Sequence, residues 1–206
     1  MSDSAAAGAS RVTVSAAGPG ALEVAARLHR EQLTDSFLAS LGESFLRVLY
    51  RRIVLDPGST LLVARRDGVA VGFIAGTGDT GQLYRAFVRR DGLRAGAAAA
   101  PRLLRHPWST LETLRYGGGG VSSTDDLPTA ELLSLAVDPR ARRGGVGARL
   151  IEALQQDLGV QGVARMKVTV SADNAAAIAA YRRCGFAPAA TVEVHRGHRS
   201  EVLVWG

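Results

Sequence analysis

The chain is poor in the residues that would tie it to oxidation chemistry, membranes or nucleic acid. Cys184 is its only cysteine, so no disulfide can close within the chain, and a reducing, cytoplasmic setting is expected. It adjoins Gly185 and reads as a packing residue rather than a nucleophile. No apolar run approaches the roughly 20 residues of a membrane span. Met1 to Ser10 is small and polar, without a basic start or an apolar centre. That argues against a signal peptide and for a disordered tail over residues 1–10. Aromatic residues make up only 5% of the chain. With no stacking platform and no helix-turn-helix pattern, a nucleic-acid partner is not expected. Lys167 is the only lysine among 25 basic residues, so the net charge of +6 rests on arginine. Such a balance suits a polyanionic ligand.

What is present is an ordinary globular composition, 206 residues with 47% hydrophobic and 21% charged. Residues 11–206 suit one domain with a sizeable core. Its most informative stretch is Leu132 to Leu158. Leu132, Leu133, Leu135, Ala136 and Val137 read as a buried strand, which Asp138-Pro139 stops. Arg142-Arg143-Gly144-Gly145-Val146-Gly147 then opens a helix with Val146, Leu150, Leu154 and Leu158 on one face. A strand, a glycine-rich loop and a helix N-terminus form an anion site, because backbone N–H groups converge unobstructed and the helix dipole favours negative charge. Neither nucleotide motif fits: the last glycine is followed by Ala148-Arg149 rather than Lys-Ser/Thr, and G-x-G-x-x ends on Leu150.

A second motif follows. Met166, Val168 and Val170 alternate as a strand, Asp173-Asn174 turns the chain into a helix, and Gly185 caps that helix. Asn174 and Tyr181 lie two turns apart on one helix face, about 10 Å along the axis.

The pattern R-x-x-G-x-G at Arg142, Gly145 and Gly147, with N-x-x-A-I-x-x-Y-x-x-x-G-F from Asn174 to Phe186, resembles the GNAT superfamily of N-acetyltransferases. The resemblance implies an α/β fold with a central mixed, mostly antiparallel sheet flanked by helices. It implies acetyl-CoA as co-substrate, an amine acceptor and no metal. The implied cofactor contacts are Leu135, Ala136 and Val137 along the strand, Arg142, Arg143, Gly144, Gly145, Val146, Gly147 and Ala148 in the loop, and Asn174 on the pantetheine arm. Tyr181 would both contact cofactor and protonate the departing thiolate. Some relatives carry a glutamate on the strand before the Asn motif, where this chain has Thr169 and no carboxylate. Glu131, at the start of the cofactor-binding strand, is the substitute expected to act as general base. A longer acyl donor, or a non-catalytic acetyl-CoA sensor, stays open, as does a homodimer.

The rest of the chain is more generic. A strand over Arg11 to Ala16 and a turn at Gly18-Pro19-Gly20 precede helical patterns from Ala21 and from Phe37. The resemblance sets the acceptor pocket near the loop joining those helices, with His29, Glu31, Asp35 and Ser36 as candidate contacts. Thr60 to Arg66 and Val69 to Thr77 read as a hairpin around Asp67-Gly68. Residues 79–129 depart from the family plan. This insertion of about 50 residues should carry structure of its own, read as two or three short helices and a Gly-rich linker. From Leu83 to Tyr116 it holds Arg85, Arg89, Arg90, Arg94, Arg102, Arg105 and Arg115 against Asp91 and Glu112, a surplus of five. A solvated basic face covering one end of the sheet, a lid or dimer element, and a contact for an anionic surface are the three readings. After Pro188, which is expected to break the chain, Thr191 to His195 and Glu201 to Trp205 form a closing hairpin. His195 and His198 could face substrate there.

Overall fold

The hairpin around Asp67-Gly68 forms as predicted. Both turn residues are left-handed, at φ 51° and 81°, the primed-turn geometry that matches strand twist. It joins β2 (Ser59–Arg66) to β3 (Val69–Thr77). The computed structural model describes residues 11–34, 36–103, 126–195 and 198–206. Before the hairpin come β1 (Val12–Ala16), α1 (Ala21–Gln32), α2 (Phe37–Leu41) and α3 (Glu43–Leu55). After it come α4 (Thr80–Leu103), β4 (Glu131–Val137), a 3-10 turn (Pro139–Ala141) and α5 (Val146–Val160). The chain closes with β5 (Met166–Ser171), α6 (Ala175–Arg183), β6 (Ala187–His195) and β7 (His198–Trp205).

These strands form one mixed sheet in the order β1-β2-β3-β4-β5-β7-β6. Every neighbouring pair is antiparallel except β4 and β5. One face packs α5 and α6 against Leu62, Ile74, Leu132, Met166 and Leu203. The other packs α1 and α3 against Leu61, Val63, Phe73 and Ala136. The α5 stripe falls as its spacing requires: Val146, Leu150, Ile151, Leu154 and Leu158 are all buried, each worth about 1.5–3 kcal/mol of transfer energy. Among the described residues no helix is long and apolar enough to cross a membrane.

Two expectations need correction. Pro188 does not break the chain but lies inside β6, at a register shift between Pro188 and Ala190. β6 is the sheet's edge strand, where a missing N–H costs no ladder bond. The first half of the insertion is one 24-residue helix, α4, rather than short pieces. Ala95 and Ala99 pack with Leu41 of α2 and Phe45 of α3, while Arg85, Arg89, Arg90 and Arg94 are exposed. The expected helical residues Leu104, Trp108, Leu111 and Leu114, and the linker from Gly117, lie outside the described residues, as does the expected tail 1–10.

Candidate active site

β4 and β5 run parallel but pair at one position, Glu131 with Lys167, supported by the Lys167 N–H to Ala130 carbonyl bond of 2.9 Å. Beyond that apex the strands part, so the β5-facing backbone of Leu132 to Val137 is left without a ladder partner. Unpaired backbone groups between two strands need a ligand or water. At the open end, the loop from Arg142 leads into α5. Its backbone is left-handed at Arg143 (φ 62°) and Gly145 (φ 73°), an alternation that turns successive N–H groups to one side. The first helical bond is from Arg149 N–H to the Gly145 carbonyl. Val146, Gly147 and Ala148 therefore offer N–H groups with no helical partner. The Arg142 side chain is a brace: its Nε donates to the Val137 carbonyl at 3.1 Å and Nη2 to Gln32 Oε1 at 2.8 Å. That ties the end of β4 to the end of α1.

A feature the sequence reading missed lies inside β4. Gly76 pairs with Leu132 and Ala75 with Ser134, so Leu133 is an extra, unpaired residue, a β-bulge. Its consequence is visible in the packing. Leu132 belongs to the α5 face, whereas Leu133 packs on the α1 face and Ser134 lies beside Tyr50 of that same face. Bulges re-aim backbone groups, and this one sits two residues from Glu131. Two adjacent leucines followed by a serine were the only hint of it in the sequence.

α6 stands on the β5 side of the opening. Asn174 caps it, its Oδ1 accepting from Ala177 N–H at 3.1 Å, which leaves the exposed amide NH2 as a donor. At the other end Phe186 N–H bonds the Tyr181 carbonyl and Gly185 N–H the Arg182 carbonyl, both at 3.1 Å. With Gly185 at φ 86°, this is a Schellman stop, and the Tyr181 and Phe186 rings meet 5.6 Å apart. Tyr181 is 6% exposed and burial raises its pKa, so the phenol keeps its proton. Glu131 sits at the apex. Thr80 Oγ1 of α4 donates to its Oε2 at 3.1 Å, and Lys167 Nζ lies 3.7 Å from it. Burial raises the Glu131 pKa against the opposing pull of Lys167 and Thr80. Among the described residues no group of three or more His, Cys, Asp or Glu side chains could hold a metal.

The candidate acceptor contacts divide. Glu31 pairs with Arg27 at 3.1 Å on the helix surface, Asp35 lies outside the described residues, and so do the side chains of His195 and His198. His29 is not a surface contact at all, being 1% exposed. Its Nδ1 is hydrogen-bonded to the Tyr50 hydroxyl at 2.6 Å and its Nε2 to Ser36 Oγ at 3.3 Å. Burial lowers its pKa from 6.5 to about 4. The folded chain thus refuses a proton that the unfolded chain accepts. The stability gained by a neutral His29 is complete above pH 6.5 and is lost as pH falls toward 4. The expected loss is about 3 kcal/mol across that window, read as a falling urea midpoint that His29→Gln flattens.

The comparisons with known proteins converge. The acetyltransferase (GNAT) family model matches residues 26–186. Over 60 residues the chain is 47% identical to the ribosomal protein bS18 alanine N-acetyltransferase of Escherichia coli K12, covering 29% of this chain and 40% of that protein. It is 32% identical over 99 residues to the mycothiol acetyltransferase of Saccharomonospora viridis, 47% of this chain and 30% of that protein. The matches thus span less than half the length of these curated relatives. In three dimensions the fold is shared with the S18-alanine N-acetyltransferase of Escherichia coli, at TM-score 0.57 and 18% identity, over 95% of this chain and 93% of that one. An N-acetyltransferase from Staphylococcus aureus Mu50 superposes at TM-score 0.60 and 14% identity, covering 95% and 98%.

Proposed function

The chain belongs to the acetyltransferase (GNAT) family, and from that membership we propose that it moves an acetyl group from acetyl-CoA to a primary amine. The amine belongs to a small molecule, such as an amino sugar, a metabolite or an antibiotic, or to a peptide. The chain is an acyltransferase by family; the acceptor and the residue roles are the proposal. The observation that carries it is the parallel pair β4/β5, joined only at Glu131 and Lys167, with the glycine loop at its open end.

The residues suit the cofactor. Val146, Gly147 and Ala148 turn three N–H groups to the side where a pyrophosphate would lie, and the open edge from Leu135 to Val137 offers strand-like bonds to an amide-bearing arm. The NH2 of Asn174 is one further donor. Acetyl-CoA supplies the acetyl group as an activated thioester. Glu131, with its raised pKa, takes a proton from the acceptor ammonium directly or through water, freeing the nitrogen lone pair. The backbone N–H groups of β4 beside the Leu133 bulge are the proposed donors to the thioester carbonyl as it gains charge. The nitrogen attacks the thioester carbonyl carbon and the C–S bond breaks; Tyr181 gives its proton to the departing sulfur, and the second N–H proton lost as the amide forms restores the phenol through water.

The first test is calorimetric titration with acetyl-CoA of the parent and of Gly145→Glu and Gly147→Glu. A carboxylate placed among the loop N–H groups competes for them and repels phosphate, so binding weakens by about 100-fold or more. No binding by the folded parent overturns the reading. One curated relative is named for a protein alanine and another for mycothiol, so the acceptor screen includes alanyl peptides as well as small amines. Binding without turnover of any amine would favour a sensor, and preference for a longer thioester would favour another acyl group.

A further inference from the structure

We infer that Arg66, at the tip of the β2–β3 hairpin, is a phosphate ligand for the pyrophosphate of coenzyme A. It would close the loop's anion site with a side chain from a different part of the sheet. The inference rests on the acetyl-CoA reading and adds a residue that the loop motif does not contain.

Alternation along β2 sends Leu62, Ala64 and Arg66 to one face, and Leu62 and Ala64 pack in the core that α5 covers. Arg66 is the outermost of that row and reaches the N-terminal end of α5. Its guanidinium lies over Gly144, where a Cβ would come within 2.7 Å of Nη2 and 3.8 Å of Cζ. Arg66 therefore occupies the space that any side chain at position 144 would need. Its Nε is buried with no hydrogen-bond partner. None of the ion pairs among the described residues includes it.

That position is electrostatically wrong for a lone cation. The N-terminus of α5 carries partial positive charge, and the loop N–H groups add to it. Two neighbouring arginines are engaged: Arg142 braces Val137 and Gln32, and Arg149 Nη1 donates to the Val12 carbonyl at 3.1 Å. A guanidinium with a free, buried Nε beside converging N–H groups lacks only an anion, and its planar fork matches phosphate oxygens. The pyrophosphate is assigned rather than the 3′-phosphate, because the guanidinium rests on the backbone of the loop itself.

The test measures binding of CoA and of dephospho-CoA, which lacks the 3′-phosphate, by calorimetry. Arg66→Gln is expected to weaken both by about tenfold, with Arg66→Lys between it and the parent. The methyl of Gly144→Ala pushes the guanidinium aside. That variant should cost as much as Arg66→Gln, and the double variant no more than either. Without ligand, Arg66→Gln should melt no lower than the parent, since it removes a cation from a positive helix end. Unchanged affinity of Arg66→Gln for both ligands overturns the inference. A loss confined to CoA overturns the pyrophosphate assignment in favour of the 3′-phosphate. Failure of the parent itself to bind CoA is a different result, and overturns the acetyl-CoA reading on which this one stands.

Discussion

Tyr181→Phe is expected to lower kcat by about 10²–10⁴-fold, the usual range for a removed general acid, with little change in acetyl-CoA affinity. The phenyl ring keeps the 5.6 Å contact with Phe186, and the helix stop is made by backbone bonds from Gly185 and Phe186. The variant therefore keeps its fold, and a loss of rate cannot be assigned to unfolding. What is removed is one hydroxyl whose pKa burial raises. The sign of that shift matters: a raised phenol pKa keeps the proton in place through neutral and mildly alkaline pH. The acid limb of the rate profile then belongs to Glu131, whose pKa is also raised by burial, and it should survive in Tyr181→Phe. Steady-state kinetics with calorimetry reads all three quantities. A kcat within threefold of the parent, with binding intact, overturns the acid role.

The elements of this site were legible in proportion to how local their physics is. The glycine loop, the α5 stripe from Val146 to Leu158 and the Gly185 stop are each set by residues within one or two turns, and each stands where the spacing put it. The bulge at Leu133 and the parting of β4 from β5 were not legible. Both are facts of pairing with strands tens of residues away, and a strand's side-chain pattern does not reveal which neighbour is missing. His29 misled for a related reason. An imidazole on a helix face next to a proposed pocket reads as polar and available. Its partner Tyr50 is 21 residues on, and only tertiary packing turns that face inward. In α4 the obstacle was composition. Two of the residues that helix buries are the small Ala95 and Ala99, which give little amphipathic contrast, so one long helix reads as shorter pieces.

The same helix carries the largest stability effect expected here. Counted as charge, Asp91 is a minor offset to the arginines around it. In the fold it is 2% exposed and accepts from Arg52 Nε of α3 at 2.6 Å, with Arg51 Nη1 3.7 Å from its other oxygen. Arg52 is also buried, so Asp91→Ala leaves a desolvated cation without its counter-ion. The expected cost is about 3–5 kcal/mol, a large share of a domain's usual 5–15 kcal/mol, measured as a fall in the urea midpoint. Replacing both partners by apolar residues, Arg52→Met with Asp91→Leu, should recover most of that loss, because no charge is then stranded. A single-variant cost below about 1 kcal/mol would mean that solvent reaches the pair. The pair matters beyond stability because α4 begins at Thr80, which holds Glu131. An ion pair that clamps α4 to α3 also fixes the helix whose first residue orients the proposed base. This half of the insertion is thus a wall of the fold, and a change that loosens it should reach the rate through Glu131 before the chain unfolds.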